Sequence, residues 1–377
     1  MRGNKKPEWA SGGQEKGFAS IIRPGLGQEV PSHVKQESGR FIKKNESDTD
    51  IAKLREGLMN GERAMLARAI TLVESNAPRH FGQAQSLLQS ILNNTGKSVR
   101  IGISGVPGAG KSTFIEAFGT FLCSLGFKVA VLAIDPSSSL GGGSILGDKT
   151  RMEELSKNPL AFIRPSPSEG TLGGVHRKTR ETMLLCEAAG FDVIIIETVG
   201  VGQSEAIVRG MVDFFMLLVL TGAGDELQGM KKGILELADA IVVNKADGNN
   251  KLLAMKTKQE YNQILHFLQP ATNGWSSRAH TCSAITGEGI DMIWNTIQKF
   301  RTMTNETGAL QLRRRLQQKE WMHSLIEEQL QKMFYRNSNV KLLLPDLENK
   351  VMSGTETVSN AVSAVFEVFF ESVRKDI

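Results

Sequence analysis

Residues Gly105 to Ser112, Gly-Val-Pro-Gly-Ala-Gly-Lys-Ser, fit G-x-x-x-x-G-K-[ST] and stand between an apolar run, Val99 to Ser104, and a helix-like stretch opening at Thr113. This pattern constrains the fold strongly. Its glycines let successive backbone N–H groups converge on phosphate oxygens, which requires a strand to deliver the loop and a helix whose positive end closes it. Gly105, Pro107, Gly108, Ala109, Gly110 and Thr113 then form the cradle, Lys111 neutralises the β and γ phosphates, and the Ser112 hydroxyl ligates Mg2+. The chain is therefore expected to bind a nucleoside triphosphate.

A second motif selects the base. Asn244-Lys245-Ala246-Asp247 directly follows the strand-like run Ala240 to Val243. A carboxylate at Asp247 accepts both the ring N–H and the exocyclic amine of guanine, whereas adenine has no such pair of donors on that edge. Ser283-Ala284-Ile285, after another short strand, completes the base site. GTP and GDP are favoured over ATP.

From residue 98 to residue 300, short apolar runs alternate with helical segments, the pattern of a parallel sheet covered on both faces. The runs are Val99 to Ile103, Val129 to Ile134, Asp192 to Ile196, Phe214 to Leu220, Ala240 to Val243 and a weaker one near Ala279 to Ser283. Ligands of such sheets lie at the carboxyl ends of the strands, and both motifs fall just after one. The expected architecture is α/β, a P-loop NTPase domain with a largely parallel sheet over 98–300, flanked by a helical segment at 49–97 and another at 301–377. Residues 1–48, rich in Gly, Lys, Ser and Glu without periodicity, read as a flexible tail. In the C-terminal segment, Leu312, Leu316, Met322, Ile326, Leu330 and Met333 form one apolar stripe, and Val358, Ala361, Val362, Val365, Phe366 and Phe369 another. Each stripe must be buried against the main domain or against a second copy of the chain.

Bulk properties exclude several classes. A formal charge of +5 over 377 residues is mild, and the basic residues cluster in the tail and at Arg313-Arg314-Arg315, so no nucleic-acid stripe is indicated. The longest apolar run has a strand's length, which argues against a membrane span. Three widely spaced cysteines, Cys123, Cys186 and Cys282, build neither a disulfide framework nor a zinc site, and they fit a reducing compartment. The acids Glu8, Glu15, Glu29 and Glu37 are unlike a mitochondrial presequence, so a cytoplasmic location is expected, with the mitochondrial matrix as the alternative.

Three acids are candidates for the chemistry. Asp135 follows the run Val129 to Ile134 and precedes Pro136, so it either starts a turn or holds Mg2+ through water. Glu197 begins Glu197-Thr-Val-Gly200, in the place of the D-x-x-G element of other GTPases, whose glycine N–H contacts the γ phosphate. A Glu there acts either on Mg2+ and its waters or on the attacking water, and the sequence leaves both open. Asp148 and Lys149 follow a glycine cluster that has two readings, a mobile loop without a ligand or a switch that brings both residues to the γ phosphate on closure. Gln203 has two readings, orienting water or facing solvent.

Longer strings carry a family resemblance. Val131-Leu-Ala-Ile-Asp135-Pro-Ser-Ser, Gly143-Ser-Ile-Leu-Gly-Asp148-Lys-Thr-Arg-Met152, Phe162-Ile-Arg-Pro-Ser-Pro167, Thr171-Leu-Gly-Gly174, Glu197-Thr-Val-Gly-Val-Gly-Gln-Ser204, Gly222-Ala-Gly-Asp-Glu-Leu-Gln-Gly229 and Asn244-Lys-Ala-Asp247 resemble those of the MeaB/ArgK family. These are G-protein chaperones of adenosylcobalamin-dependent methylmalonyl-CoA mutase. The resemblance implies a SIMIBI-class GTPase, homodimeric through its C-terminal helices, that uses GTP and Mg2+ to gate cofactor loading and protect the mutase. It also implies that Lys111 and Ser112 bind phosphate and metal, that Asp135, Asp148 and Glu197 surround the metal and γ phosphate, and that Asn244 and Asp247 read guanine. The stretch from Leu220 to Lys231 resembles the family's extra switch loop. The alternative is an ATPase or kinase associated with transport of basic amino acids, an older label for ArgK-type sequences.

Overall fold

In the computed structural model, which describes residues 50–134, 152–166, 172–198, 204–222 and 232–375, the apolar runs of the sequence become strands buried on both faces. The strands are β1 (Val99–Gly105), β2 (Val129–Ile134), β3 (Ala161–Ser166), β4 (Val193–Thr198), β5 (Phe214–Val219), β6 (Ala240–Val243) and β7 (Arg278–Thr281). They form one sheet in the order β3-β2-β4-β1-β5-β6-β7, with parallel pairing throughout. The period of two then divides the core. Val129, Val131, Val193 and Ile195 enter one apolar layer, and Ala130, Leu132, Ile194 and Ile196 enter the other.

Three helices precede the sheet: α1 (Ile51–Met59), α2 (Arg63–Glu74) and α3 (Pro78–Ile91). Among the strands run α4 (Lys111–Ser124), α5 (Glu153–Lys157), α6 (Leu172–Ala188), α7 (Ser204–Arg209), α8 (Lys232–Leu237) and α9 (Lys251–Phe267). After β7 follow α10 (Ile290–Glu306), α11 (Ala309–Arg336), α12 (Ser338–Met352) and α13 (Val358–Lys375). Helices α4 and α10 cover one face of the sheet, where Phe118 meets Trp294 edge-on at 6.2 Å and Phe214 meets Phe300 at 5.0 Å. Helices α1 to α3 and α6 to α9 contribute to the other face. Gly102 of β1 allows α7 to approach that face closely: a Cβ there would lie 2.8 Å from Val208 and 2.9 Å from Phe215.

One strand is missing from the sequence reading. In β3, Pro165 pairs opposite Ala133, and a proline weakens the strand signal. Its position is nevertheless consistent with the physics, because β3 is an edge strand and has only one neighbour to bond.

The arginine block at 313–315, which reads as surface charge, is largely spent on the base of the sheet. Arg314 donates from Nε to Asp213 Oδ1 at 2.8 Å and from a terminal nitrogen to Oδ2 at 2.6 Å, and also reaches the Ser98 carbonyl at 2.8 Å. Asp213 Oδ2 in turn accepts from the Arg100 N–H at 3.0 Å, and the Arg100 guanidinium forms a two-point pair with Glu187 at 2.8 and 2.9 Å. Arg313 bonds the Asp213 carbonyl and Thr272 and lies 3.7 Å from Asp239, which also accepts from the Phe215 N–H. Gln317 donates to the Val212 carbonyl at 2.8 Å. The first turns of α11 are thus fixed to the amino ends of β1 and β5.

Beyond these anchors the helices depart from the sheet. The start of α12 meets the end of α13 through Asn337 Nδ2 and Ser372 Oγ at 2.8 Å, and Val340, Leu347, Ala361 and Val365 form a small core of their own. The stripe Leu312, Leu316, Met322, Ile326, Leu330 and Met333 does not pack on the main domain: each of its side chains is 49–59% exposed.

Candidate functional site

The P-loop closes on itself through backbone geometry. Gly105, Gly108 and Gly110 all have positive φ, and a Cβ on Gly105 would collide with the Leu218 carbonyl of the neighbouring strand. Gly110 caps α4 with φ +80°, so Lys111 and Ser112 occupy its first turn, where free N–H groups and the helix dipole favour an anion. Lys111 Nζ donates to the Gly105 carbonyl at 2.8 Å, which places the ammonium over the loop. Burial lowers its pKa, and the carboxylates of Glu197 and Glu205 oppose that effect.

Glu197 sits at the carboxyl end of β4, next to β1, and its register partner is Ile103. Ser112 Oγ donates to Glu197 Oε1 at 3.2 Å, so two of the predicted metal and phosphate residues come together. Thr198 Oγ1 donates to Ser104 Oγ at 2.8 Å, a fully buried bond joining the ends of β4 and β1. A hydroxyl beside a carboxylate is an oxygen donor set of the kind Mg2+ takes. No cluster of three metal-ligating His, Cys, Asp or Glu side chains occurs among the described residues. Asp135, Asp148, Lys149, Gly200 and Gln203, and the stretch 223–231 of the expected switch loop, lie outside them.

Glu205, in the first turn of α7, was not singled out in the sequence. It is 1% exposed and its charge is felt at Lys111. The available signal was an acid in the first turn of a helix that follows directly on the Glu197 string.

The base motif is assembled from three loops. Asn244 is 1% exposed: its Nδ2 donates to the Ala109 carbonyl of the P-loop at 2.8 Å, and its Oδ1 accepts from the Ala284 N–H at 3.3 Å and from the Cys282 thiol at 3.4 Å. The thiol stays protonated and able to donate, because burial and the nearby Asp247 charge push its pKa up to about 12. Asp247 is half-buried, and Ser283 Oγ donates to its Oδ2 at 2.6 Å, fixing the carboxylate plane. Ser283 also accepts from the Thr286 N–H at 3.2 Å. Lys245 has φ +59° and is exposed, with its stem beside Gly110. Ile285, expected in the base site, is 79% exposed. The sequence separated these residues into a phosphate motif and a base motif, and the structure joins them through Asn244.

Comparison with known proteins agrees with this geometry. The profile of the family described as methylmalonyl Co-A mutase-associated GTPase MeaB matches residues 66–339. GTPase ArgK of Escherichia coli is 50% identical over 293 residues, 78% of this chain and 88% of that protein. The mitochondrial methylmalonic aciduria type A homolog of Mus musculus is 46% identical, over 85% of this chain and 79% of its own length. The solved structure of a LAO/AO transport system kinase superposes with a TM-score of 0.70 at 40% identity, covering 85% of this chain and 98% of that one. The chain is a P-loop GTPase and belongs to the MeaB family.

Proposed function

We propose that this GTPase is a chaperone of an adenosylcobalamin-dependent methylmalonyl-CoA mutase, using GTP binding and hydrolysis to gate cofactor loading and to protect or reactivate the mutase. The observation that carries the reading is family membership, since the family description and the name of the mouse relative both point to methylmalonyl metabolism. The guanine part rests on Asp247, oriented by Ser283 and tied to the phosphate loop through Asn244. In the proposed site Lys111 and the P-loop amides hold the phosphates, and Glu197 and Ser112, with Asp135 and Asp148, surround the metal and the γ phosphate. Mg2+, held at Ser112 and Glu197, would supply Lewis-acid charge to the phosphates. Asn244 keeps the base and phosphate loops in register while Lys245, Ser283 and Ala284 line the base.

The exposed stripe on α11 supports a homodimer. Six half-exposed large apolar side chains on one helix exceed the scattered exposure that needs no explanation. No helix among the described residues is long and apolar enough to cross a membrane. The cytoplasm, or the matrix in an organelle-bearing source, is the proposed compartment. The second reading, a kinase of basic amino-acid transport, draws support from the likeness to the LAO/AO transport system kinase, but the guanine-reading carboxylate favours the first.

The test is GTP turnover by the purified protein with and without the purified mutase from the same source. Stimulation, together with nucleotide-dependent cofactor transfer to the mutase, is expected. No complex and no stimulation over a range of mutase concentrations would refute the chaperone function and leave the GTPase standing.

A further inference from the structure

The sheet ends at β7, and beyond its free edge lies a cleft of about 700 Å3 between α9, the end of α8 and α10. Two periodicities converge on it. Lys258, Asn262 and His266 follow one another at helical spacing on α9, and Arg278 and His280 alternate on one side of β7. Two of the neutral polar groups here are already used by the fold: Asn262 Oδ1 accepts from the Ala279 N–H at 2.9 Å, which closes the strand edge, and Ser277 Oγ donates to the Ala238 carbonyl at 2.7 Å.

The charged groups are not used in that way. Neither Lys258 nor Arg278 takes part in an ion pair among the described residues, and the lining offers one carboxylate, the exposed Glu236. His280 Nε2 is buried with no hydrogen-bond partner among them. Burial, reinforced by Lys258 and Arg278, lowers the His280 pKa to about 4, so the imidazole is neutral at physiological pH and the cleft has a net positive field. Leu265, Leu268 and Met292 supply an apolar wall.

We propose that this cleft is a second ligand site, distinct from the nucleotide site, which takes a small organic anion, a phosphate or carboxylate group on a short apolar body. Lys258 and Arg278 meet the anion, His280 lies behind them in the lining as a neutral ring, and the apolar wall covers the body. Two cations in a lining with one exposed acid are an unbalanced arrangement that an anion completes. Uncompensated like charges near one another make an anion site when the surroundings exclude part of the solvent.

The experiment uses the full chain saturated with GDP, so that the P-loop is occupied. Phenyl phosphate and benzoate are titrated separately, with phenol as the uncharged control, by calorimetry and by the ring resonances of His280. Saturable binding of either anion, absent for phenol, is expected, with the His280 titration midpoint moving upward as the bound charge offsets Lys258 and Arg278. Lys258→Ala combined with Arg278→Ala should weaken binding by about tenfold for each charge removed, while GTP turnover stays unchanged. Affinity unchanged in the double variant, equal binding of phenol, or no saturable response of His280 up to the ~10 mM range would overturn the proposal. Should the double variant fold poorly, Lys258→Gln alone tests the same contact, and unchanged affinity in it has the same meaning.

Discussion

Asn244→Ala tests whether the base and phosphate loops act as one unit. The substitution removes the 2.8 Å bond to the Ala109 carbonyl and the acceptor for the Ala284 N–H, in a position 1% exposed. A buried group left without a partner costs about 1–3 kcal/mol, more than the net worth of an ordinary hydrogen bond. Three groups lose a partner here, but the contacts from Ala284 and the Cys282 thiol are long at 3.3 and 3.4 Å, so the Ala109 carbonyl sets the scale. Two measurements divide that cost. If the bracket preorganises the site, GTP affinity falls by about tenfold to a hundredfold while the urea midpoint moves little, because the loops bear the loss and not the sheet. If the bracket mainly holds the fold, stability falls and the residual affinity of the folded fraction is normal. Competition binding with a fluorescent guanine nucleotide and equilibrium urea unfolding read the two directly. Both quantities within about 0.5 kcal/mol of the unmodified protein would refute the bracket itself.

Four further outcomes follow from the same structure. Asp247→Asn places a donor opposite the guanine N–H groups, so relative affinity should shift from GTP toward XTP in competition binding, and an unmodified protein that binds ATP and GTP equally would contradict the base assignment. Glu197→Gln keeps its size and can still accept from Ser112, so nucleotide should bind while single-turnover hydrolysis falls about 10² to 10³-fold; unchanged hydrolysis would leave Glu197 a structural role. Arg314→Ala leaves buried Asp213 short of its counter-charge and should cost about 3–5 kcal/mol in urea unfolding, whereas a loss below 1 kcal/mol would show that α11 is not held by this pair. His280 has a folded pKa of about 4 against 6.5 for an unhindered imidazole, so the unfolded chain binds the extra proton first; its stabilising contribution is full above pH 6.5 and is lost as pH falls toward 4. Discounted for its partial exposure, the effect is on the order of 1–2 kcal/mol, and His280→Gln should flatten that part of the stability profile.

The motifs of the candidate nucleotide site were legible because their chemistry is local. A glycine pattern ending in Lys111-Ser112 and a carboxylate three residues after Asn244 specify their ligands through adjacent atoms, and uninterrupted apolar runs specify strands buried on both faces. What escaped the sequence depends on distant partners. Nothing near Asn244 in the chain shows that its amide is spent on Ala109, and nothing near Arg313 and Arg314 shows that Asp213, 101 residues from Arg314, awaits them. Strand β3 was hidden by Pro165, whose cost vanishes only at a sheet edge, a fact of topology. The α11 stripe was legible as a stripe, but its exposure was not, because periodicity gives the angular position of a side chain and not what lies opposite.

The two ends of β1 are held by opposite means, and the contrast explains how a chain of net charge +5 presents its charge. At the amino end Arg100 is matched by Glu187 and Arg314 by Asp213, while Arg209 and Arg313 share Asp239; four arginines meet three carboxylates, so most of this charge is compensated inside the protein. At the carboxyl end the strand finishes in backbone contacts around Gly105, and the side chains gathered there, Lys111, Glu197 and Asp247, are those proposed to meet the nucleotide and its metal. Arg313 and Arg314, which read in the sequence as part of a basic block, are therefore spent on buried partners and add less to the outer field than the sequence suggests. The division also separates stability from chemistry. Substitutions at the ion-paired base should be read out in unfolding and those at the glycine-bounded end in turnover, because the arginines of the base are paired with buried carboxylates of the fold, whereas Lys111 and Asp247 are proposed to meet a ligand.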